Sequence, residues 1–286
     1  MSLVPHFQNH KQQNEMGFVD HLEALRWHVV RSLIAIIIFA ILIFIKIDWI
    51  FDHIIFGPMQ ADFVSYTGLC KISHYLHMGD ALCMPPPNVK MQVTAFGSQF
   101  MTSISIAFLG GFIVAFPYVC WEIWRFLKPA LSTTEIKNTR GGILFVTFFF
   151  LCGISFGYFL LAPFTFSFLS NYKLGVLSTL ETRPTLDDYI ENMINIIIGA
   201  GISFQLPVVS FVLTKIGLIT PLFLKTYRKY AYVFILVIAA VITPSPDWMS
   251  QAIVALPLFL LYELSILISS YVENKRAKQD AEFFSS

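Results

Sequence analysis

Charge is scarce in this 286-residue sequence. Asp, Glu, Lys and Arg together make up 13% of it, against about 25% in soluble domains. Half the usual charge excludes a soluble enzyme and a disordered chain. The formal net charge of +1 offers no field to a polyanion, so nucleic acid is excluded as a partner. Catalytic signatures are missing as well. There is no H-E-x-x-H, G-x-S-x-G or P-loop, so no enzymatic activity and no cofactor are expected. Internal repeats are not apparent. Met1–Leu25 is polar and lacks the short apolar core and small-residue cleavage site of a removable leader.

What the sequence has in excess is apolar surface, at 56% hydrophobic residues with 29 Phe. That composition predicts an all-α polytopic membrane protein. A spanning helix needs about 20 residues, and six candidates follow. They are Trp27–Ile45, Phe100–Trp124, Ile143–Leu169, Tyr189–Thr214, Ala231–Ile242 and Met249–Ser269. A helical pattern begins earlier, near Phe18. The fifth run is short: 12 residues at 1.5 Å each reach only about 18 Å of a core about 30 Å thick. Either flanking residues Tyr227–Tyr230 and Thr243 join that helix, or the bilayer thins beside it. Residues 1–270 read as one transmembrane domain with an outer loop at 46–99, and 271–286 as a charged tail. Of the 19 Lys and Arg, only Lys46, Lys71, Lys90, Lys173 and Arg183 fall outside the N-terminal stretch, the second-to-third and fourth-to-fifth loops and the tail. The positive-inside rule then places both termini in the cytoplasm.

Ionisable groups inside the bilayer are the best pointers to function. Glu122 lies near the end of the second span. Glu191 opens the fourth, where a helix N-terminus favours a carboxylate. Glu263 lies in the sixth and reads first as a hydrogen-bond acceptor. Gln205, deep in the fourth span, either joins two helices or meets a partner. On the cytoplasmic face, Glu23 in the amphipathic start of the first helix and Glu135 in the second-to-third loop could together bind a cationic segment. Arg suits such a partner, because its planar fork pairs with carboxylates. Cys70, His74, His77 and Cys83 match no common zinc spacing. In an oxidising compartment Cys70 and Cys83 could instead form a disulfide. Cys120 and Cys152, within spans, read as packing residues.

Five motifs occur in order: His21-Leu-Glu-Ala-Leu-Arg26, Phe126-Leu-Lys-Pro-Ala-Leu-Ser-Thr-Thr-Glu135, Phe156-Gly-Tyr158 before Pro163, Phe204-Gln-Leu-Pro207, and Thr243-Pro-Ser-Pro-Asp-Trp-Met-Ser-Gln251. From about Phe18 to Ser270 the chain resembles the TatC family, the receptor subunit of the twin-arginine protein translocase. The resemblance implies six helices in a curved, glove-like arrangement, with short helices five and six. It implies binding of Arg-Arg signal peptides at the cytoplasmic face of a bacterial inner membrane. It also implies recruitment of single-span TatA/TatB-type subunits, assembly with further copies of the chain, and export driven by the proton-motive force. On the signal-peptide side it points to Glu135, Glu23, Arg26, Phe126, Pro129 and Leu131. On the groove and partner side it points to Gln205, Pro207, Asp247 and Pro58.

Three departures from the family pattern stand out. Ala24 occupies the place of the usual N-terminal glutamate, with Glu23 one residue, about 100° of helix, away. Gln205 replaces a frequent glutamate. The Cys70–Pro87 stretch lengthens the first outer loop. A secondary transporter of a small solute is the competing class, and it would more often carry internal repeats and midplane charges.

Overall fold

The computed structural model describes residues 18–75, 77, 79–80, 83–87, 89–127, 140–172, 183–243 and 248–285. These are helical almost throughout. The only strand-like pairing among them is an isolated bridge between Gln92 and Thr185. Helix α1, Phe18–Ile45, begins where the sequence pattern does and runs antiparallel to α4, Ser98–Leu127. His28 meets Glu122 at one end, Phe44 meets Phe100 at the other, and Gly111 lies between. A Cβ at Gly111 would stand 2.7 Å from the Ala40 amide nitrogen and 2.8 Å from the Ile36 carbonyl oxygen. Only glycine permits that backbone approach. Gly110-Gly111 therefore packs α4 against α1 without interrupting it.

Between α1 and α4 the chain forms an outer cap. It comprises α2 (Ile47–Ile50), a π turn (Phe51–Ile55), a 3-10 turn (Gly57–Met59) and α3 (Val64–Tyr75). Such irregular turns leave carbonyls without their regular partners, and tyrosine hydroxyls bond them. Tyr158 donates to Ile54 O at 2.7 Å, Tyr189 to Ile55 O at 2.5 Å and Tyr66 to Pro58 O at 2.7 Å. Burial pushes the Tyr66 phenol above its ordinary value, so it stays a neutral donor.

The third span is α5 (Arg140–Phe156), a π turn (Gly157–Leu161) and α6 (Ala162–Asn171). Pro163 lies in the first turn of α6, where a missing N–H is tolerated. The fourth is α7 (Leu186–Ser203) and α8 (Leu206–Ile216). Thr185 caps α7, accepting from the Asp188 amide at 3.1 Å. The acidic first turn is thus Asp187-Asp188, three residues before the expected start at Tyr189, and Glu191 sits one turn inside. Pro207 lacks the N–H that would bond back to Ser203, so the helix breaks at Phe204-Gln205. Gly217, at φ +86°, ends α8. Its N–H and that of Leu218 reach back to Thr214 and Leu213, a Schellman closure.

Two expectations need correction at the C-terminal end. After α9 (Pro221–Thr226), helix α10 spans Arg228–Ile242, taking in Arg228–Tyr230 but neither Tyr227 nor Thr243. At 15 residues it reaches about 22 Å. Five helical segments among the described residues are long and apolar enough to cross a membrane: 23–45, 98–126, 142–171, 186–216 and 251–275. Helix α10 is shorter than these, so a sixth crossing by it needs a thinner bilayer. The sixth helix is not short either. Helix α11 runs 38 residues, Trp248–Ser285, straight through position 270. Residues 271–285 contain no Gly or Pro and are rich in Glu, Lys, Arg, Ala and Gln. These are good helix formers, so the charged tail continues the helix.

Cys70 and Cys83 form a disulfide that ties α3 to the following loop, while Cys120 and Cys152 are free. Alkylation of unreduced, denatured protein should label two thiols, and four after reduction. Labelling of all four without reductant would contradict the bridge. Closing 13 residues stabilises by up to about 3 kcal/mol in the chain-entropy model, so Cys70→Ser should lower the melting temperature in detergent.

Candidate functional site

The N-terminal turns of α1 and the last turns of α4 meet at one end of the molecule. Glu122 there is 1% exposed, surrounded by apolar helix, and is held by two donors. The His28 Nδ1–H donates to Glu122 Oε2, and the Tyr118 hydroxyl donates to Oε1 at 2.9 Å. His28 is itself only 16% exposed. Arg31, one turn further along α1, adds positive charge to the carboxylate's surroundings. A buried carboxylate needs such compensation, since taking an ion out of water costs several kcal/mol. One turn beyond Glu122, the Phe126 ring stands edge-on to His28, with centroids 6.0 Å apart. Arg125 lies over the Trp121 ring at 5.6 Å.

This end gathers three of the expected binding residues. Glu23 and Arg26 are exposed on α1, and Phe126 is half-buried opposite. Pro129, Leu131 and Glu135, and likewise Asp247, lie outside the described residues. The described partner-side residues, Pro58, Gln205 and Pro207, are not at this end. Pro58 is buried in the outer cap, its carbonyl bonded by Tyr66. Pro207 is buried at the break between α7 and α8. Gln205 donates from Nε2 to Val146 O at 3.3 Å, joining that break to α5.

A second polar cluster lies between α10 and α11. Glu263 accepts from Arg228 Nη2 at 2.8 Å and from the Tyr232 hydroxyl. This is the acceptor role that its sequence position suggested. About three turns back along α11, Gln251 donates to Leu236 O at 2.9 Å. The metal-type donors Cys70, His74, Asp80 and Cys83 lie within 4.8 Å of one another, with Asp80 in place of His77. The disulfide occupies both sulfurs.

Sequence reasoning marked Glu122 but missed His28 and Tyr118 as its partners. The signal was present: His28 and Arg31 are two of the three polar interruptions in the first apolar run. An intramembrane carboxylate in the next span needs a donor at matching depth.

With this geometry in view, comparisons with known proteins agree closely. A family model for the Sec-independent protein translocase protein (TatC) matches residues 20–257. The Sec-independent protein translocase protein TatC of Blattabacterium sp. subsp. Periplaneta americana is 40% identical over 266 residues, covering 93% of this chain and 99% of the relative. That of Carboxydothermus hydrogenoformans is 32% identical, over 92% and 97%. A crystal structure described as the twin-arginine translocase receptor TatC superposes with a TM-score of 0.68 at 31% identity, covering 88% of this chain and 99% of that one. The chain is therefore a member of the TatC family, a multi-pass membrane component of a Sec-independent protein translocase rather than an enzyme.

Proposed function

We propose that this chain is the receptor that captures Arg-Arg signal peptides of folded proteins for twin-arginine export. The observation that carries the reading is that Glu23, Arg26 and Phe126 lie at the same end of the α1/α4 pair, the end from which the chain runs on toward Glu135. Lys and Arg are concentrated in that end's loops, so non-specific attraction of a cationic peptide is weak. Recognition then rests on a few placed carboxylates. Glu135 is the principal acceptor and Glu23 supports it, each able to take a guanidinium in charge-assisted hydrogen bonds.

The remaining roles follow in the same scheme. This end faces the cytoplasm of a bacterial inner membrane. Helix α10 makes the sixth crossing through a thinned bilayer, at a cost of fractions of a kcal/mol per Å of mismatch. Gln205, Pro207, Asp247 and Pro58 belong to the face that meets TatA/TatB-type single-span subunits. Several copies of the chain assemble, and the proton-motive force drives transport.

A charge-assisted pair of this kind contributes about 1.5–3 kcal/mol, or about ten- to a hundred-fold in affinity. Glu135→Gln should lose that much affinity for an Arg-Arg peptide, and Glu135→Asp should keep part of it. If Glu135→Gln binds Arg-Arg peptide as the wild type does, and no better than a Lys-Lys control, the site is elsewhere. Orientation has its own test. An impermeant thiol reagent on intact cells should label Asn88→Cys and spare Asn138→Cys and Asn274→Cys. The reverse pattern would invert the topology.

A further inference from the structure

We infer that the outer cap carries a redox-gated zinc site, in which Cys70, His74, Asp80 and Cys83 hold one Zn²⁺ once the disulfide is reduced. The site stands apart from the cytoplasmic end and does not depend on what that end binds.

The donors converge because the chain folds back on the end of α3. Cys70 and His74 are four residues apart on that helix and share a face. Beyond its last residue, Tyr75, His77 adopts φ +56° and Gly79 φ +60°, and both turn the chain. The hydroxyl of the buried Ser73 donates to Gly79 O at 2.6 Å, and the His77 amide donates to His74 O at 3.1 Å. The Cys83 amide donates to Asp80 O at 3.0 Å. None of these bonds involves a sulfur, so the fold-back has support that reduction leaves in place. It brings Asp80 Oδ1 to 3.3 Å from His74 Nε2 and to 3.7 Å from Cys83 Sγ. One donor atom from each of the four residues lies within 4.8 Å of the others. The side chains of His74 and Asp80 are 60% and 85% exposed, so an ion reaches them from solvent.

The chemistry of the set selects zinc. His74 Nδ1 faces Cys70 O at 2.8 Å. A carbonyl oxygen only accepts, so Nδ1 carries the hydrogen. A bond of that kind is what orients metal-bound imidazoles. It leaves Nε2 facing a carboxylate oxygen, and a cation between them, a proton or a metal ion, satisfies both. Two ligands about 2.0–2.1 Å from a tetrahedral zinc stand about 3.3 Å apart, the separation found between Nε2 and Oδ1. Two thiolates and an imidazole beside one carboxylate suit Zn²⁺ and are too soft a set for Mg²⁺ or Ca²⁺.

The disulfide is the closed state, because its sulfurs offer no thiolate charge. A dithiol reductant opens it by two exchange steps. One thiolate of the reductant attacks a sulfur of the bridge and releases one cysteine. Its second thiolate then displaces the other, and the reductant leaves as its own disulfide. Two electrons and two protons have passed to Cys70 and Cys83. Zn²⁺ displaces the two thiol protons to solvent, and ties Cys83 back to α3 in place of the covalent bond.

The test uses the full chain in detergent, reduced with dithiothreitol and desalted under argon, with Zn²⁺ and Co²⁺ as probes. The reduced chain should bind one Zn²⁺, and Co²⁺ should give thiolate charge-transfer absorption with the strong visible bands of a tetrahedral site. The unreduced chain should give neither. His74→Ala and Asp80→Ala, both at exposed positions, should each weaken Zn²⁺ binding by at least about ten-fold, the scale of losses from outer-shell partners alone. Cys70→Ser/Cys83→Ser, which keeps Cys120 and Cys152, should abolish it. A reduced wild-type chain that binds Zn²⁺ no better than the unreduced one overturns the inference. So does an affinity that survives both His74→Ala and Asp80→Ala, or one retained by the double cysteine variant.

Discussion

Lipid offers no hydrogen-bond partner to a peptide group, and that constraint shapes this molecule throughout. Regular helix satisfies the backbone internally over most of the described chain. Where the helix departs from regularity, substitutes occur at the same places. Tyrosines 66, 158 and 189 bond carbonyls of the turns between Ile54 and Pro58. Pro163 and Pro207 fall in first turns, where the missing N–H is tolerated. Thr185 and Gly217 close the two ends of the fourth span. Helix packing follows the same logic. Gly153, like Gly111, admits a neighbouring backbone: a Cβ there would meet the Ala200 carbonyl oxygen at 2.7 Å.

Against that background, a carboxylate within a membrane helix is an exception that asks for a reason. Glu122 and Glu263 are carboxylates on membrane helices, and each holds two side-chain donors from its surroundings. Both lie toward the same end of the helix bundle, the end to which α1 contributes its N-terminus and α4 its C-terminus. The opposite end is built differently. There Ser98 donates to Asp187, Ser167 to Pro85 O, and the disulfide ties α3 to its loop. One end is thus a covalently and hydrogen-bonded cap. The other carries exposed Glu23 and Arg26 on α1, a few residues from the buried His28–Glu122 hydrogen bond.

Much of this was legible in the sequence. Apolar runs located every major helix, the pattern near Phe18 marked the true start of α1, and the five ordered motifs identified the family. Boundaries were less legible where charge and helix propensity diverge. The segment after Ser270 reads as a tail by charge yet continues α11, because its residues favour helix in water as well as in lipid. Helix α10 was recognisably short, and only coordinates could assign Arg228–Tyr230 to it while excluding Tyr227. The pairing of Glu122 with His28 is a tertiary fact: the residues are 94 positions apart, and spacing along one helix carries no information about register between two. The Cys70–Cys83 bridge stayed an open reading because spacing along the chain does not show that two sulfurs meet in space.

The most direct measurement of the central claim is site-specific photo-crosslinking to an Arg-Arg signal peptide from each end of the molecule. A photoreactive residue at Trp27, exposed beside the α1/α4 junction, should capture the peptide, and excess unlabelled Arg-Arg peptide should abolish the adduct. The same probe at Gln60, in the outer cap, should capture none. Equal capture from both positions, or capture at Trp27 that Lys-Lys peptide competes as well as Arg-Arg does, would contradict a receptor site at this end.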